Sequence, residues 1–356
     1  MRDLALALIG CGAVAAKHVA SIAACPGVTL AALCDVSTER METMSALWRT
    51  ASAGQGIAIP VADYRRLLAD PAIDAVVVAT NSGWHARIAT EALQSNKHVV
   101  LEKPIALSLR EADLMIRLAD ERGLIVQVCH QLRYRPLMLK LKELVDGGAL
   151  GRILMASAKL RVHRPPSYYQ SSPWRGTWEH DGGMLLNQGI HAIDLLLWYL
   201  GQPTRAYGEI SSRHSEKETE DVAVGILTFP EGAKAMIEAN SVTLPDNLEQ
   251  SLFILGERGT VSIGGQRLDR LERWYVESEP HAEEEASRLL ECRDEHVELY
   301  RAFASACRGD QGTVLIPLSE GRRALESVFA IYSSAAEAQA LMLPLAAFST
   351  LRMKRT

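Results

Sequence analysis

The feature that most limits what this chain can fold into is the alternation in its first 125 residues. Apolar runs of strand length, LALALIG (4–10), VTLAALCD (28–35), DAVVVAT (74–80), HVVLEKP (98–104) and LIVQVCH (124–130), punctuate this part of the chain. AVAAKHVASIAAC reads as a helix in the first gap, and further helices are expected around 85–95 and 108–122. Strands separated by crossover helices pair in parallel rather than as hairpins, so the pattern predicts a doubly wound parallel sheet.

The pattern changes after residue 125. RPLMLKLKELVDGGALG reads as a helix closed by glycines, and RILMASAKLRV (152–162) as a long strand. Between 205 and 276 come RAYGEISSR, DVAVGILTF, AKAMIEANSVT, QSLFILGE, GTVSIGG and RLERWYVE, six strands with no helix between them. Such a meander predicts a mostly antiparallel, open sheet covered on one face by helices such as 184–200. Final helices are expected over 296–308 and 319–341, and the acidic stretch SEPHAEEEASR reads as a solvated loop or helix edge. A chain of 356 residues exceeds what one core usually serves, so the expected division is 1–125 and 126–356, with the last helices packing back on the first domain.

Bulk properties exclude some function classes. A net charge of −5 without a long basic run argues against nucleic acid or an acidic membrane as partner. Six cysteines at 11, 25, 34, 129, 292 and 307 form no CxxC pair, which fits reduced thiols in the cytoplasm. Arg2 followed by LALALIGCGAVAA and IAAC imitates an export signal, but Lys17, His18 and the interrupting glycines do not fit one. No apolar stretch reaches the ~20 residues of a membrane-spanning helix.

Gly10-Cys11-Gly12-Ala13-Val14-Ala15 fits G-x-G-x-x-[GA] between a predicted strand and a predicted helix. The first glycine allows the tight turn, the second admits a pyrophosphate close to the backbone, and helix N–H groups at Ala13 and Val14 can hold the phosphates. Asp35 ends the next strand, where a carboxylate accepts hydrogen bonds from an adenosine ribose and repels a 2′-phosphate. These features predict a Rossmann domain that binds NAD in preference to NADP. Thr80, Asn81 and His85 in ATNSGWH (79–85) lie at a strand's carboxyl end, where such sheets bind ligands; capping of the next helix by Asn81 or Ser82 is the alternative. Glu102, Lys103 and Pro104 end the following strand. An ammonium there could stabilise a developing alkoxide, or Lys103 could be a surface lysine.

In LLNQGIHAIDLLLW (185–198), Asn187, His191 and Asp194 fall at i, i+4 and i+7 and share one face of an otherwise apolar helix. Such a stripe is either a satisfied core network or the lining of a cavity. Just before it, RPPSYYQSSPWRGTWEHDGG (164–183) offers Tyr168, Tyr169, Trp174 and Trp178 as flat surfaces for a sugar ring, with Arg175 and Glu179 as charged partners. Some of these aromatics are expected to pack as core. Arg161, His163 and Arg164 are candidates for reading a carboxylate or phosphate. No metal site is expected.

Taken in order, G-x-G-x-x-A, the aspartate after the second strand, T-N-x-x-x-H, E-K-P and G-G-x-x-x-[DN]-x-G-x-H-x-x-D resemble the Gfo/Idh/MocA oxidoreductases, over nearly the whole chain. The resemblance implies a Rossmann domain plus an α/β domain whose open sheet packs in homodimers or homotetramers. It also implies catalysis by Lys103 and His191. In the inositol dehydrogenase branch an aspartate precedes the histidine by four residues; here Asn187 stands there and cannot stabilise an imidazolium as a carboxylate would. The resulting expectation is an NAD-dependent dehydrogenase acting on a secondary hydroxyl of a sugar, inositol or sugar derivative. Lys103, His191 and Asn187 would be catalytic. Gly10, Gly12, Ala13, Val14, Asp35, Thr80, Asn81, His85, Glu102 and Lys103 would surround the cofactor. Lys103, Tyr168, Trp174, Arg175, Trp178, Asn187, His191 and Asp194 would surround the substrate. The alternatives are a non-catalytic NAD sensor of the same fold and an NADP-linked oxidoreductase that recycles a tightly bound cofactor.

Overall fold

A computed structural model describes residues 2–54, 56–214, 216–310 and 315–354. The chain forms two compact units. The first comprises Met1–Ala106, Arg110–Gln131 and Asp294–Gly321; the second comprises Leu107–Leu109, Leu132–Arg293 and Arg322–Thr356.

The first unit is built on six parallel strands: β1 (Leu4–Ile9), β2 (Val28–Cys34), β3 (Ile59–Pro60), β4 (Ala75–Val78), β5 (His98–Leu101) and β6 (Val126–Val128). Their spatial order is β3-β2-β1-β4-β5-β6, the Rossmann arrangement. Ala75 to Val78 and Val99 to Leu101 have no exposed surface. Helices on both faces of a parallel sheet demand uninterrupted apolar strands of this kind. The crossover helices are α1 (Ala15–Ala24), α2 (Thr38–Ala51), α3 (Tyr64–Ala69), α4 (Ser82–Gln94) and α5 (Leu109–Arg122). Ser37 and Asp63 cap α2 and α3 by accepting the N–H groups of Arg40 and Arg65.

The division differs from a cut at residue 125. β6 pairs with β5 through Val99↔Val126, so the sheet needs residues past that point.

The second unit carries α6 (Pro136–Asp146), β7 (Ile153–Arg161), α7 (Pro166–Gln170) and a π-helical turn over Leu185–Gly189 that runs into α8 (Ile190–Leu200). Then follow β8 (Arg205–Ser211), β9 (Val222–Thr228), β10 (Lys234–Asn240), β11 (Glu249–Gly256), β12 (Gly259–Gly264), β13 (Arg270–Val276) and α9 (Glu283–Glu291). The chain returns to the first unit for α10 (Glu295–Cys307), whose Tyr300 and Phe303 are fully buried. The long helix α11 (Leu318–Glu337) enters the second unit at Arg322 and is followed by the short strand β14 (Leu341–Met342).

Its sheet runs β13-β12-β11-β7-β10-β9-β8-β14. All pairs are antiparallel except β7 with β10, where Met236 lies beside Ser157. Burial alternates along β8, β9 and β10, as one covered and one open face require. On the open face Tyr207, Ile226 and Met236 form a cross-strand row, each more than a third exposed. Arg161 lies on this face as well, bound by Glu238 and Glu249. It is committed to the sheet rather than to an incoming anion.

On the covered face, Arg133 donates from Nε and Nη2 to the two oxygens of Asp194 at 2.8 and 2.6 Å, with both side chains buried. Removing one member of a buried pair leaves the other charge uncompensated. Asp194→Ala is expected to lower stability by roughly 3–5 kcal/mol, measured by urea unfolding; a loss below about 1 kcal/mol would contradict a buried, paired guanidinium.

Candidate active site

In the first unit the turn from β1 to α1 has the shape its glycines predict. Gly10 has φ +101°, and a Cβ there would lie 2.5 Å from the Ala79 carbonyl oxygen of the neighbouring strand. Gly12 instead faces open space on its Cβ side, leaving the backbone approachable. Val14 precedes α1 in the capping position and its side chain caps nothing, and the first helical turn holds no acidic residue. Its N–H groups and positive dipole end are therefore suited to an anion. Asp35 accepts the N–H of Cys11 at 2.7 Å and that of Ser37 at 2.9 Å, one on each carboxylate oxygen. Each oxygen keeps a second lone pair for a ribose hydroxyl. An open glycine cradle, an uncapped helix end and an anchored carboxylate fit a dinucleotide.

At the carboxyl edge of β4, Asn81 precedes α4 in the capping position, but its side chain caps nothing. Among the described residues its buried Oδ1 has no hydrogen-bond partner, which suits a ligand amide better than a capping role. Thr80 Oγ1 donates to the Asn81 carbonyl at 3.3 Å. His85 is different: only 2% exposed, it approaches the Pro104 carbonyl with Nδ1 at 2.7 Å and the Thr80 carbonyl with Nε2 at 3.1 Å. Burial pushes its pKa down, while the two carbonyls facing its ring nitrogens pull the other way. Buried between them, His85 braces the turns that follow β4 and β5.

Lys103 follows β5, joined to Pro104 by a cis peptide. Glu102 is buried; its Oε2 accepts the Lys103 N–H at 3.2 Å, and its Oε1 faces His18 Nε2 at the same distance. His18 Nδ1 meets the Tyr300 hydroxyl at 2.8 Å, and Cys129 is hydrogen-bonded to Glu102. His18, Glu102 and Cys129 have the donor set of a metal site among the described residues. Each of the three is engaged in this hydrogen-bonded cluster, which also takes the Lys103 N–H.

In the second unit the stripe Asn187, His191 and Asp194 is divided. The i, i+4, i+7 reading assumed a regular α-helix, but Leu185–Gly189 form a π-helical turn and shift the register before α8. Asn187, Gln188 and His191 are half-buried, whereas Asp194 is 1% exposed and held by Arg133. Asp194 therefore takes the structural reading, not a substrate role. The π turn rests on two side chains. Glu220 Oε1 accepts the Leu185 N–H and the Tyr332 hydroxyl, each at 2.7 Å, and Tyr332 oxygen accepts the Leu186 N–H at 3.3 Å. Gly183, with φ +106°, permits this: a Cβ would lie 2.3 Å from the Tyr332 oxygen.

The aromatic segment divides too. Trp178 is 4% exposed and packs edge-on against Tyr332 at 5.3 Å, so it belongs to the core. Tyr169 is equally buried, with its hydroxyl on Ser241. Glu179 is paired with Lys354. Tyr168, Trp174 and Arg175 remain half-buried, the Arg175 guanidinium lying 4.1 Å from the Tyr168 ring centre and 4.8 Å from that of Trp174. Arg164 covers the same tyrosine at 5.4 Å and donates to Gln188 at 2.9 Å. Sequence reasoning missed Asp181, Gln188, Glu220 and Tyr332. Only the position of Asp181 and Gln188 beside the G-G and G-x-H letters hinted at them.

Residues 4–130 match the profile of the oxidoreductase family with an NAD-binding Rossmann fold, and residues 138–262 match the GFO/IDH/MocA C-terminal domain. The chain belongs to the Gfo/Idh/MocA oxidoreductase family. It is similar to the WlbA dehydrogenase from Bordetella pertussis, solved in complex with NADH and UDP-GlcNAcA. The two are 33% identical, with a TM-score of 0.86 over 97% of this chain and 100% of that one. The WlbA dehydrogenase from Chromobacterium violaceum, solved with the same two ligands, is 30% identical, with a TM-score of 0.88 and 97% of each chain covered. Myo-inositol 2-dehydrogenase from Thermotoga maritima is 25% identical over 263 residues, 72% of this chain and 74% of that protein. This Gfo/Idh/MocA chain is an NAD(P)-dependent oxidoreductase with an NAD-binding Rossmann domain, so the sensor alternative is set aside. No helix among the described residues is long and apolar enough to cross a membrane.

Burial pushes the Glu220 carboxyl from 4.5 up to about 7, against the opposing pull of the Leu185 N–H, the Tyr332 hydroxyl and Lys217. A native carboxyl that holds its proton more tightly than the unfolded one loses stability as pH rises through that window. Relative to Glu220→Gln, the wild type is expected to lose on the order of 3 kcal/mol between about pH 4.5 and pH 7.5. Denaturant titrations of both proteins across that range check this; a constant difference would contradict a titrating Glu220.

Proposed function

We propose that the chain oxidises a secondary hydroxyl of an anionic sugar derivative, with His191 as proton acceptor and Lys103 as the stabiliser of alkoxide charge. The observation that carries this reading is that His191 is half-buried on a helix whose other large side chains are nearly all buried. An imidazole titrates near neutrality and suits proton removal from an alcohol. The Lys103 ammonium, at the end of β5, lowers the energy of the oxygen anion that forms. NAD, when bound, supplies the hydride acceptor. Asp35 favours NAD over NADP, since its carboxylate would repel a 2′-phosphate.

The substrate's negative charge is read from Arg164 and Arg175, which flank Tyr168. Among the described residues Arg175 Nε has no hydrogen-bond partner. Two cations on one aromatic ring suit a carboxylate or phosphate beside a sugar ring. The WlbA structures hold a UDP-linked sugar acid, so UDP-linked hexuronic acids are the first substrates to try, with inositols and neutral pyranoses as the second arm. The six free cysteines fit a cytoplasmic enzyme.

The test is NADH formation at 340 nm across that panel. On the substrate found, Lys103→Met and His191→Ala are expected to lower kcat at least ~100-fold, with NADH affinity changed less than about threefold as read by fluorescence. Near-wild-type turnover in both variants would refute the assignment. The exposed row Tyr207, Ile226 and Met236 is proposed to bury itself against a second copy, giving a homodimer or homotetramer. Light scattering should show that state in the wild type and a smaller species in Ile226→Glu.

A further inference from the structure

The half-buried end of the π turn carries a chain of hydrogen bonds with a fixed direction. Arg164 Nη2 donates to Gln188 Oε1 at 2.9 Å, and Gln188 Nε2 donates to Asn187 Oδ1 at 2.8 Å. Asn187 Nδ2 in turn donates to Asp181 Oδ1, whose other oxygen accepts the Gly176 N–H at 2.7 Å. The ends decide the polarity. A guanidinium only donates and an ionised carboxylate only accepts, whereas either amide could face both ways. With Arg164 at one end and Asp181 at the other, reversing either amide would set donor against donor or oxygen against oxygen. The two amide dipoles therefore line up head to tail between a cation and an anion. Asp181 is 5% exposed, so its carboxylate acts on Asn187 with little screening.

We propose that Asp181 is a positioning residue for the reaction: through Asn187 it sets the amide so that Oδ1 is presented as an acceptor, one helical turn before His191. The proposal rests on the assignment of His191 and Asn187 made above. An asparagine with a free choice would offer the substrate hydroxyl a donor or an acceptor with equal ease. Fixed by Asp181, it turns its N–H toward the carboxylate and its oxygen away from it, as the acceptor end of the amide. The negative charge absent from position 187 stands one hydrogen bond further back, at 181.

An exchange of the two side chains tests this. Asp181→Asn keeps an oxygen for the Gly176 N–H but removes the acceptor-only end, and kcat is expected to fall about tenfold. Asn187→Asp sets two carboxylates against each other and is expected to fall further. The double variant D181N/N187D restores one donor and one carboxylate, and should recover at least about tenfold over N187D. NADH affinity should stay within about twofold in all three, which separates loss of positioning from loss of fold. A D181N kcat within about twofold of wild type, or a double variant no better than N187D, overturns the proposal.

A second readout needs no substrate. With selective 15N labelling of asparagine, the Asn187 side-chain amide should give a downfield, slowly exchanging proton in the wild type that is lost in D181N. An unchanged resonance also overturns the proposal. If no sugar is turned over but this resonance behaves as stated, the functional reading fails while the fixed amide stands.

Discussion

The ion pair between Arg133 and Asp194 lies where neither group reaches water, and α8 is anchored by it. A buried guanidinium held by two parallel hydrogen bonds has one good position. That position fixes the rotation of α8 and so determines which of its residues face outward. Trp198 covers the Arg133 guanidinium at 5.3 Å, adding cation–π contact from the same helix. With Asp194 turned inward, His191 comes to the half-exposed side of the helix.

The N-terminal side of the same helix poses a different problem. A π-helical turn displaces the regular hydrogen-bond ladder, and the N–H groups of Leu185 and Leu186 would be orphaned in the core. Glu220 and Tyr332 take them, from a β-strand approach and a C-terminal helix far away in sequence. The cost is a carboxylate in an apolar setting, visible in its raised pKa. The aromatic side chains Trp178 and Tyr332 exclude water around it, so Trp178 is needed as packing and is not available to a sugar.

Much of the fold was legible because its signals are local and repeated. The strands of the second sheet from Arg205 to Val276 show as short β-prone segments with no helix between them, and along β8 to β10 burial alternates as one open face requires. The Rossmann half announced itself through Gly10, Gly12 and Asp35, whose roles follow from a turn that excludes a Cβ and a carboxylate beside it. Three things were not legible. The parallel pairing of β7 with β10 joins residues about 80 apart and leaves no local trace. The π turn inserts a register change that no apolar spacing encodes. The roles of Trp178 and Asp194 depend on Tyr332 and Arg133, partners that composition at their own positions does not name.

The histidines show why residue type alone divides poorly between site and scaffold. His85 and His18 sit as close in sequence to the nucleotide turn and the strand edges as any candidate ligand. Both are nonetheless buried with both ring nitrogens engaged, His85 by two carbonyls and His18 by Tyr300 and Glu102. An imidazole in that state holds neighbouring turns together and has no vacant nitrogen to exchange a proton with a ligand. His191 differs in being half-exposed, beside an amide whose direction is set by a carboxylate and a guanidinium. What distinguishes His191 from these scaffold histidines is the surface it retains and the polarity of its neighbours. Both follow from how Arg133, Glu220 and Asp181 hold one helix.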